Sequence, residues 1–370
     1  MLLQMVAAAT QTFIQAPVPR SIDLASPDAT LAAEFTLVSA VRELSNGRLL
    51  VVDRSERKLI VADWTTGQVV QLGRNGSGPG EYLQPTTLLA LGGDSTLVPD
   101  SRNGRWLLLH GATIVATIGA DAAVIRNGAR VPLGADAQGH VITMRPAGAQ
   151  ATGRTATPRL DSVSLVRVAR ATGRPDTVGM LKGRQVSIVV KGPKDNPTSV
   201  DVLVHPLAAG EQAALFSDGW IAIARVDPYR VEWIGPDGKH IRGEPLPFVR
   251  VRLDQREQQA FVERLALHSG GAPRDPKSFP EWPAIMPPFL MEALLPAPDG
   301  RLWIRRPATA ANPDPPYDVV DRRGALVARM NPGKNVEIVG FGRAVVYTVA
   351  SDDNGIQQLQ RRSLPNSFRP

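Results

Sequence analysis

The chain has no cysteine, which removes a disulfide scaffold, thiol catalysis and Cys-ligated zinc from consideration. The compartment stays open, because exported bacterial proteins can also lack cysteine. Aromatic residues make up only 5% of the 370 positions, so the core must be built mostly from Val, Leu, Ile and Ala. Lysine is scarce as well: seven of the 42 basic residues are Lys and the rest are Arg. The formal net charge of +7 would suit an anionic partner, but no run of five basic residues forms the patch that phosphate contacts require. An arginine bias without clustering follows genomic base composition, and nucleic-acid binding is not expected.

Long apolar runs are missing too. A spanning helix needs about 20 predominantly apolar residues, and nothing beyond the first residues approaches that, so no membrane span is expected. The opening stretch MLLQMVAAATQTFIQA, followed by Pro17, has the apolar, small-residue character of an export signal. It carries no basic residue before Arg20. Residues 1–19 are read as a signal remnant, and the mature chain 20–370 is expected to be a soluble, monomeric periplasmic or extracellular domain.

What the chain has in quantity is turn residues. Its 33 Gly and 32 Pro are spread along the whole length, as expected when many short strands are punctuated by turns. From Phe35 the pattern is regular: Phe35 to Leu44, Arg48 to Asp53, Lys58 to Asp63 and Gln68 to Leu72 are strand-length runs rich in branched residues. Short polar connections of hairpin type separate them. The stretch Gly73-Arg74-Asn75-Gly76-Ser77-Gly78-Pro79-Gly80-Glu81-Tyr82 then marks a junction to the next unit.

A turn followed by a branched apolar run recurs at 45–53, 92–100, 137–145, 217–225, 298–306 and 340–348, as a repeat architecture demands. Three of the spacings are one unit long and two are nearly twice that. The second long gap holds an insertion, about 248–289, with a predicted helix over Leu253 to Ala266 and a Pro-rich stretch after it. On that helix Ala260, Phe261, Arg264 and Leu265 could share a face. The first long gap contains Gln185 to Val190 and Ser199 to Val204, read as a projecting hairpin or a damaged extra unit. The last unit shows three strands where four are wanted. The run Ser21 to Leu24 can supply the fourth and remove an open sheet edge. The expected fold is therefore all-β: a six-bladed β-propeller closed by an N-terminal strand, with seven blades as the alternative.

The segment from Leu72 to Tyr82, read as LGRxGxGPGEY, together with the Asp-Gly turns, resembles the bacterial 6-bladed β-propeller proteins related to NHL-repeat propellers. The resemblance covers about residues 35 to 365, and the later junctions lack the Gly-Pro-Gly core. It implies an exported or surface-associated propeller.

For chemistry, the glycine-rich junction lacks the GK[ST] ending and a following helix, so it does not read as a phosphate loop. His110, His140, His205, His240 and His268 stand apart, with no paired metal spacing. Asp53, Asp63 and Asp100 at strand ends could form a carboxylate ring for calcium at the central channel, although such residues more often cap turns. No GxSxG is present. The insertion is the principal candidate site, since long propeller loops are often functional. Trp282, Phe279 and Met286 are its recognition-type side chains. Trp303 and Arg305 follow on the next blade, where alternate side chains could face the channel.

The ligand-binding candidates are thus Trp282, Trp303, Arg305, Asp53 and Asp100, with no catalytic residue and no cofactor beyond the possible calcium ion. The reading is a non-catalytic module that binds a protein, peptide or glycan at the channel mouth. The alternative is a metal-dependent propeller hydrolase or lyase.

Overall fold

The computed structural model describes residues 19–369 except 128, 130, 148–158, 185, 192–198, 270–271 and 280. The signal-like residues 1–18 lie outside that range, as does the turn of the projecting hairpin.

Strands such as Leu49–Asp53 are buried at every position, so both faces of the sheet need cover. A ring of sheets standing side by side supplies it. Six sheets have four antiparallel strands in simple up-and-down order, and their first strands are Val38–Glu43, Leu89–Gly92, Gly134–Ala135, Gln212–Leu215, Leu294–Pro296 and Val336–Phe341. We number these blades 1 to 6. Six apolar clusters fill the wedges between successive blades, the last joining blade 6 to blade 1 through Phe35, Val41, Tyr347 and Leu359. The chain is a six-bladed β-propeller. Val186–Lys191 and Ser199–Val204 pair as a separate two-stranded sheet after blade 3 and not as a seventh blade.

The N-terminal closure differs from the expectation. Phe35 to Leu44 is not one strand: Ala29–Phe35 ends at Phe35 and becomes the fourth strand of blade 6, antiparallel to Gln357–Ser363. Leu31 and Phe35 of that strand enter the wedge toward blade 1. The run beginning at Arg20 instead pairs in parallel with Leu326–Asn331, adding a fifth strand to blade 5. Parallel direction is what decides: the antiparallel place in blade 6 needs a chain running the opposite way to Gln357–Ser363 and leading directly into Val38, and only Ala29–Phe35 does both.

All four tyrosines sit in these wedges: Tyr82, Tyr229, Tyr317 and Tyr347 are at most 2% exposed. Burial raises the phenol pKa of each, and the neighbouring charges of Asp318 and Glu43 push Tyr229 and Tyr347 further up. A phenol whose folded pKa is raised contributes stability that is complete below its unfolded value of about 10 and is lost as pH climbs past it. Titration at 295 nm should therefore show no phenolate near pH ~10 while circular dichroism stays native, then a steep rise together with unfolding. A gradual titration centred near that pH in folded protein would contradict the burial of these rings.

The junction after blade 1 is built as the glycines require. Gly73 has φ +65°, and a Cβ there would meet the Gly80 carbonyl oxygen at 2.5 Å. The loop turns its carbonyls toward blade 2, where Arg105 donates to Ser77 O at 2.7 Å, Gly78 O at 3.2 Å and Glu81 O at 2.8 Å. It offers acceptors to a guanidinium, the reverse of a phosphate cradle. The Tyr82 hydroxyl donates to Leu72 O at 2.8 Å and accepts from Leu59 N at 3.0 Å, fastening the end of the loop to blade 1.

Candidate functional site

In an up-and-down blade the linker into the first strand and the turn between the second and third strands lie on the same face of the ring. That face carries residues 243–293, the segment between blades 4 and 5, and the 186–204 hairpin. The helix is Gln255–Ser269, started by Asp254, whose carboxylate accepts from Glu257 N at 3.0 Å. Its inward face is Glu257, Val262 and Ala266, with Phe261 half-buried, while Leu265 is 42% exposed. Of the face expected from Ala260, Phe261, Arg264 and Leu265, the first three are half-buried and Leu265 is exposed, so the inward face is rotated. The aromatic contacts of Phe261 and the bond from Ala310 N to Glu257 Oε2 at 2.9 Å fix the actual orientation.

This segment works as a lid. Its base is a short antiparallel contact, Met286 N to Val251 O at 2.8 Å and Leu253 N to Ala284 O at 3.1 Å. From there it reaches blade after blade. Glu281 lies 3.7 Å from the buried His205 below the hairpin, and Gln212 of blade 4 accepts from Ala293 N at 3.4 Å. Arg264 donates to Ala308 O of the blade 5 loop at 3.1 Å, and burial lowers its guanidinium pKa. Gly355 of blade 6 lies so close under the helix that a Cβ would meet Leu267 O at 3.3 Å. Glu292 pairs with Arg54 of blade 1 at 3.1 Å, past the whole of blade 6.

Trp282 belongs to the lid and is half-buried. Its ring stands edge-on to Phe261 at 5.6 Å and Phe279 at 5.3 Å, and its Nε1 donates to Pro276 O at 3.1 Å. Met286 is buried with Leu207 and Leu253 beneath these rings. Arg305, at the lid end of the second strand of blade 5, forms a partly exposed ion pair with Glu337 on the first strand of blade 6.

The other candidates are enclosed. Trp303 is fully buried between blades 5 and 6, against Phe341 at 5.1 Å and Phe368 at 5.8 Å, and does not face the channel. Asp53 accepts from Thr36 N at 2.8 Å, Leu37 N at 3.3 Å and Glu56 N at 3.0 Å. Asp100 accepts from Leu83 N at 3.1 Å, Gln84 N at 2.9 Å and Asn103 Nδ2 at 2.6 Å. Both tie the linker that precedes a blade to the end of its second strand, at the same sequence offset. Asp63 takes the amides of Thr65 and Thr66 in its own turn. Among the described residues no group of three or more His, Cys, Asp or Glu could hold a metal ion, so the calcium ring of Asp53, Asp63 and Asp100 is not assembled. None of the described helices is long and apolar enough to cross a membrane.

Sequence reasoning missed Arg54, Glu292 and Glu337. A partner 238 positions away leaves no local signal for the first two.

The ring and its lid define a capped six-bladed propeller. Residues 22–89 match the family described as 6-bladed beta-propeller, the stretch that contains blade 1 and the glycine junction. No curated protein matches the chain. Among solved structures it is similar to the calcium-binding protein regucalcin of Agrobacterium tumefaciens, at 12% identity and TM-score 0.40 over 95% of this chain and 99% of that one. It is also similar to a putative exported protein of Bacteroides fragilis, at 12% identity and TM-score 0.48 over 94% and 95%. A virginiamycin B lyase of Staphylococcus aureus gives 9% identity and TM-score 0.41 over 91% and 98%. Likeness at this level carries nothing about activity.

Proposed function

We propose that the protein is an exported binding module whose ligand, a peptide or glycan of a partner, is engaged where the lid meets the channel mouth. The observation that supports this is the lid itself: residues 243–293 reach from the base of the hairpin to blades 4, 5 and 1 through polar contacts, the one to Arg54 of blade 1 exposed, and pack closely on Gly355 of blade 6. A segment used only to hide blade hydrophobics has no need to cross the ring. Within this reading Trp282 and Arg305 contact the ligand, because they are the two candidates with accessible surface. Asp53, Asp100 and Trp303 hold the scaffold beneath them.

The test is a screen of immobilised glycans and extended peptides against the intact protein, Trp282→Ala and Arg305→Ala. Hits shared by the intact protein and lost in both variants are the expected result, each loss on the order of tenfold or more. A screen in which every hit survives replacement of residues 248–289 by a short Gly-Ser linker, in a protein that remains folded, would sink the site. Metal analysis of the same preparations addresses the rival reading: one tightly held divalent ion per chain, whose removal abolishes turnover of a lactone or ester, would make the protein an enzyme.

A further inference from the structure

Outer strands of propeller blades are sheet edges, and exposed edges are commonly blunted by shortness, charge, proline, bulges or cover. Five of the six edges here show shortness, charge, proline or cover. Those of blades 1 and 4, Val69–Gln71 and His240–Arg242, have three residues each. Blade 3 ends in Pro175–Lys182, with a proline and charges at its ends, and blade 6 in Ala29–Phe35, which carries Glu34. Blade 5 is covered by Arg20–Asp23.

Blade 2 has none of these at its edge, which carries only a bulge. Its outer strand Thr113–Ile118 runs six residues with no charge and no proline, and it is mostly exposed. A register shift opposite Leu108 and Leu109 leaves Val115 outside the pairing, 54% exposed. Beside the strand lies a cleft of about 510 Å³, with Ser77 to Gly80 on one wall, Ile114 to Thr117 on the other and Arg105 between them. The loop wall is held in place from below by the three carbonyl bonds of Arg105.

We propose that this cleft takes an extended peptide segment of a partner protein, which pairs with Thr113–Ile118 as a fifth strand of blade 2. Blade 5 shows that an outer edge of this ring accepts such an addition, since the four residues Arg20–Asp23 pair there in full register. The partner segment is uncharged over the residues it inserts. Arg105 is already committed to carbonyls and stands 3.4 Å from Asp100, and Arg74 is paired with Glu81, so the cleft has no free charge to offer. Main-chain hydrogen bonds supply the affinity, and apolar or β-branched side chains pack on Val115. A second copy of this chain is a poor occupant. Six residues of edge extend about 20 Å, and two rigid rings touching along that line fall short of the roughly 1,200 Å² of a stable interface.

The experiment uses the fluorescein-labelled peptide Lys-Thr-Val-Thr-Val-Thr-Lys, followed by anisotropy and by hydrogen exchange of the full chain. Saturable binding is expected, with slowed exchange confined to 113–118. Val115→Lys should weaken it about tenfold or more, by setting a charge against an uncharged segment. Val70→Lys, equally exposed on the outer strand of blade 1, and Trp282→Ala on the lid should leave it unchanged. Absence of binding, equal binding by Val115→Lys, or protection at the lid instead of the strand would each overturn the proposal. So would a dimer in sedimentation that Val115→Lys dissociates, which would assign the edge to a second copy.

Discussion

Asp318→Ala is expected to lower the stability of the ring by about 3–5 kcal/mol, the cost of removing one partner from a buried charge pair. Asp318 is completely buried on blade 5, facing blade 4. Its Oδ2 accepts from the Tyr229 hydroxyl at 2.9 Å, and its Oδ1 accepts from Arg329 Nε at 3.1 Å. Arg306 Nη1 lies 3.6 Å away, with its guanidinium over the rings of Tyr229 at 5.2 Å and Phe248 at 5.3 Å. Without the carboxylate, the guanidinium groups of Arg306 and Arg329 and the Tyr229 phenol lose a fully buried acceptor. Asp318→Asn should fall between, because an amide oxygen can still accept from Tyr229 but brings no charge. Phe248 lies near the start of the lid, so the same loss should loosen the lid before the ring melts. Urea midpoints give the first effect and hydrogen exchange over residues 248–253 the second. A midpoint within about 0.5 kcal/mol of the unsubstituted protein would show the cluster to be incidental.

Trp303→Ala is expected to cost about 3–5 kcal/mol, the range for emptying a buried aromatic site. Its ring fills the wedge between blades 5 and 6 against Phe341 and Phe368, and no surface of it reaches solvent. The folded fraction of this variant should bind ligand as the parent does. Two residues further along, Arg305→Ala should behave in the opposite way, losing ligand with little change in midpoint, because its ion pair with Glu337 is partly exposed and worth little to stability. The two side chains share the face toward blade 6, but Trp303 lies inside the wedge while Arg305 sits at the lid end of the strand, where it is partly exposed, so depth along one face separates packing from recognition. If Trp303→Ala abolished binding while leaving the urea midpoint in place, the wedge assignment would be wrong.

The blades were legible because their signals are local. A glycine at the turn, a branched run after it and an Asp-Gly hairpin further on each report a nearby backbone constraint. The strand-end aspartates carried more than was read from them. Asp53 and Asp100 each bind amides 16 and 17 residues earlier, an offset visible in the chain once both are compared. What sequence did not reveal was settled by distant partners. Ala29–Phe35, rich in Ala with Leu and Glu, has the composition of a helix, yet the open place in blade 6 makes it a strand. The alternating Arg20 to Leu24 looked the better candidate and was placed elsewhere. Arg54 and Glu292, which join blade 1 to the lid, had no neighbours in sequence to announce them.

The N-terminal closure also dictates when the molecule can exist. Blade 6 takes its fourth strand from residues 29–35 and its other three from residues 336–363, and Val38 N donates to the side chain of Gln357 across 319 positions. A ribosome or a translocation pore delivers these ends at opposite times. Until residues 326–363 emerge, the earliest strands have no sheet to join and their edges stay unpaired. Joining such remote segments adds little to the loop-closure entropy, which grows only with the logarithm of length, but it makes the search slow. Under the export proposed above that delay is protective, because the last blade is withheld until residues 357–363 have crossed.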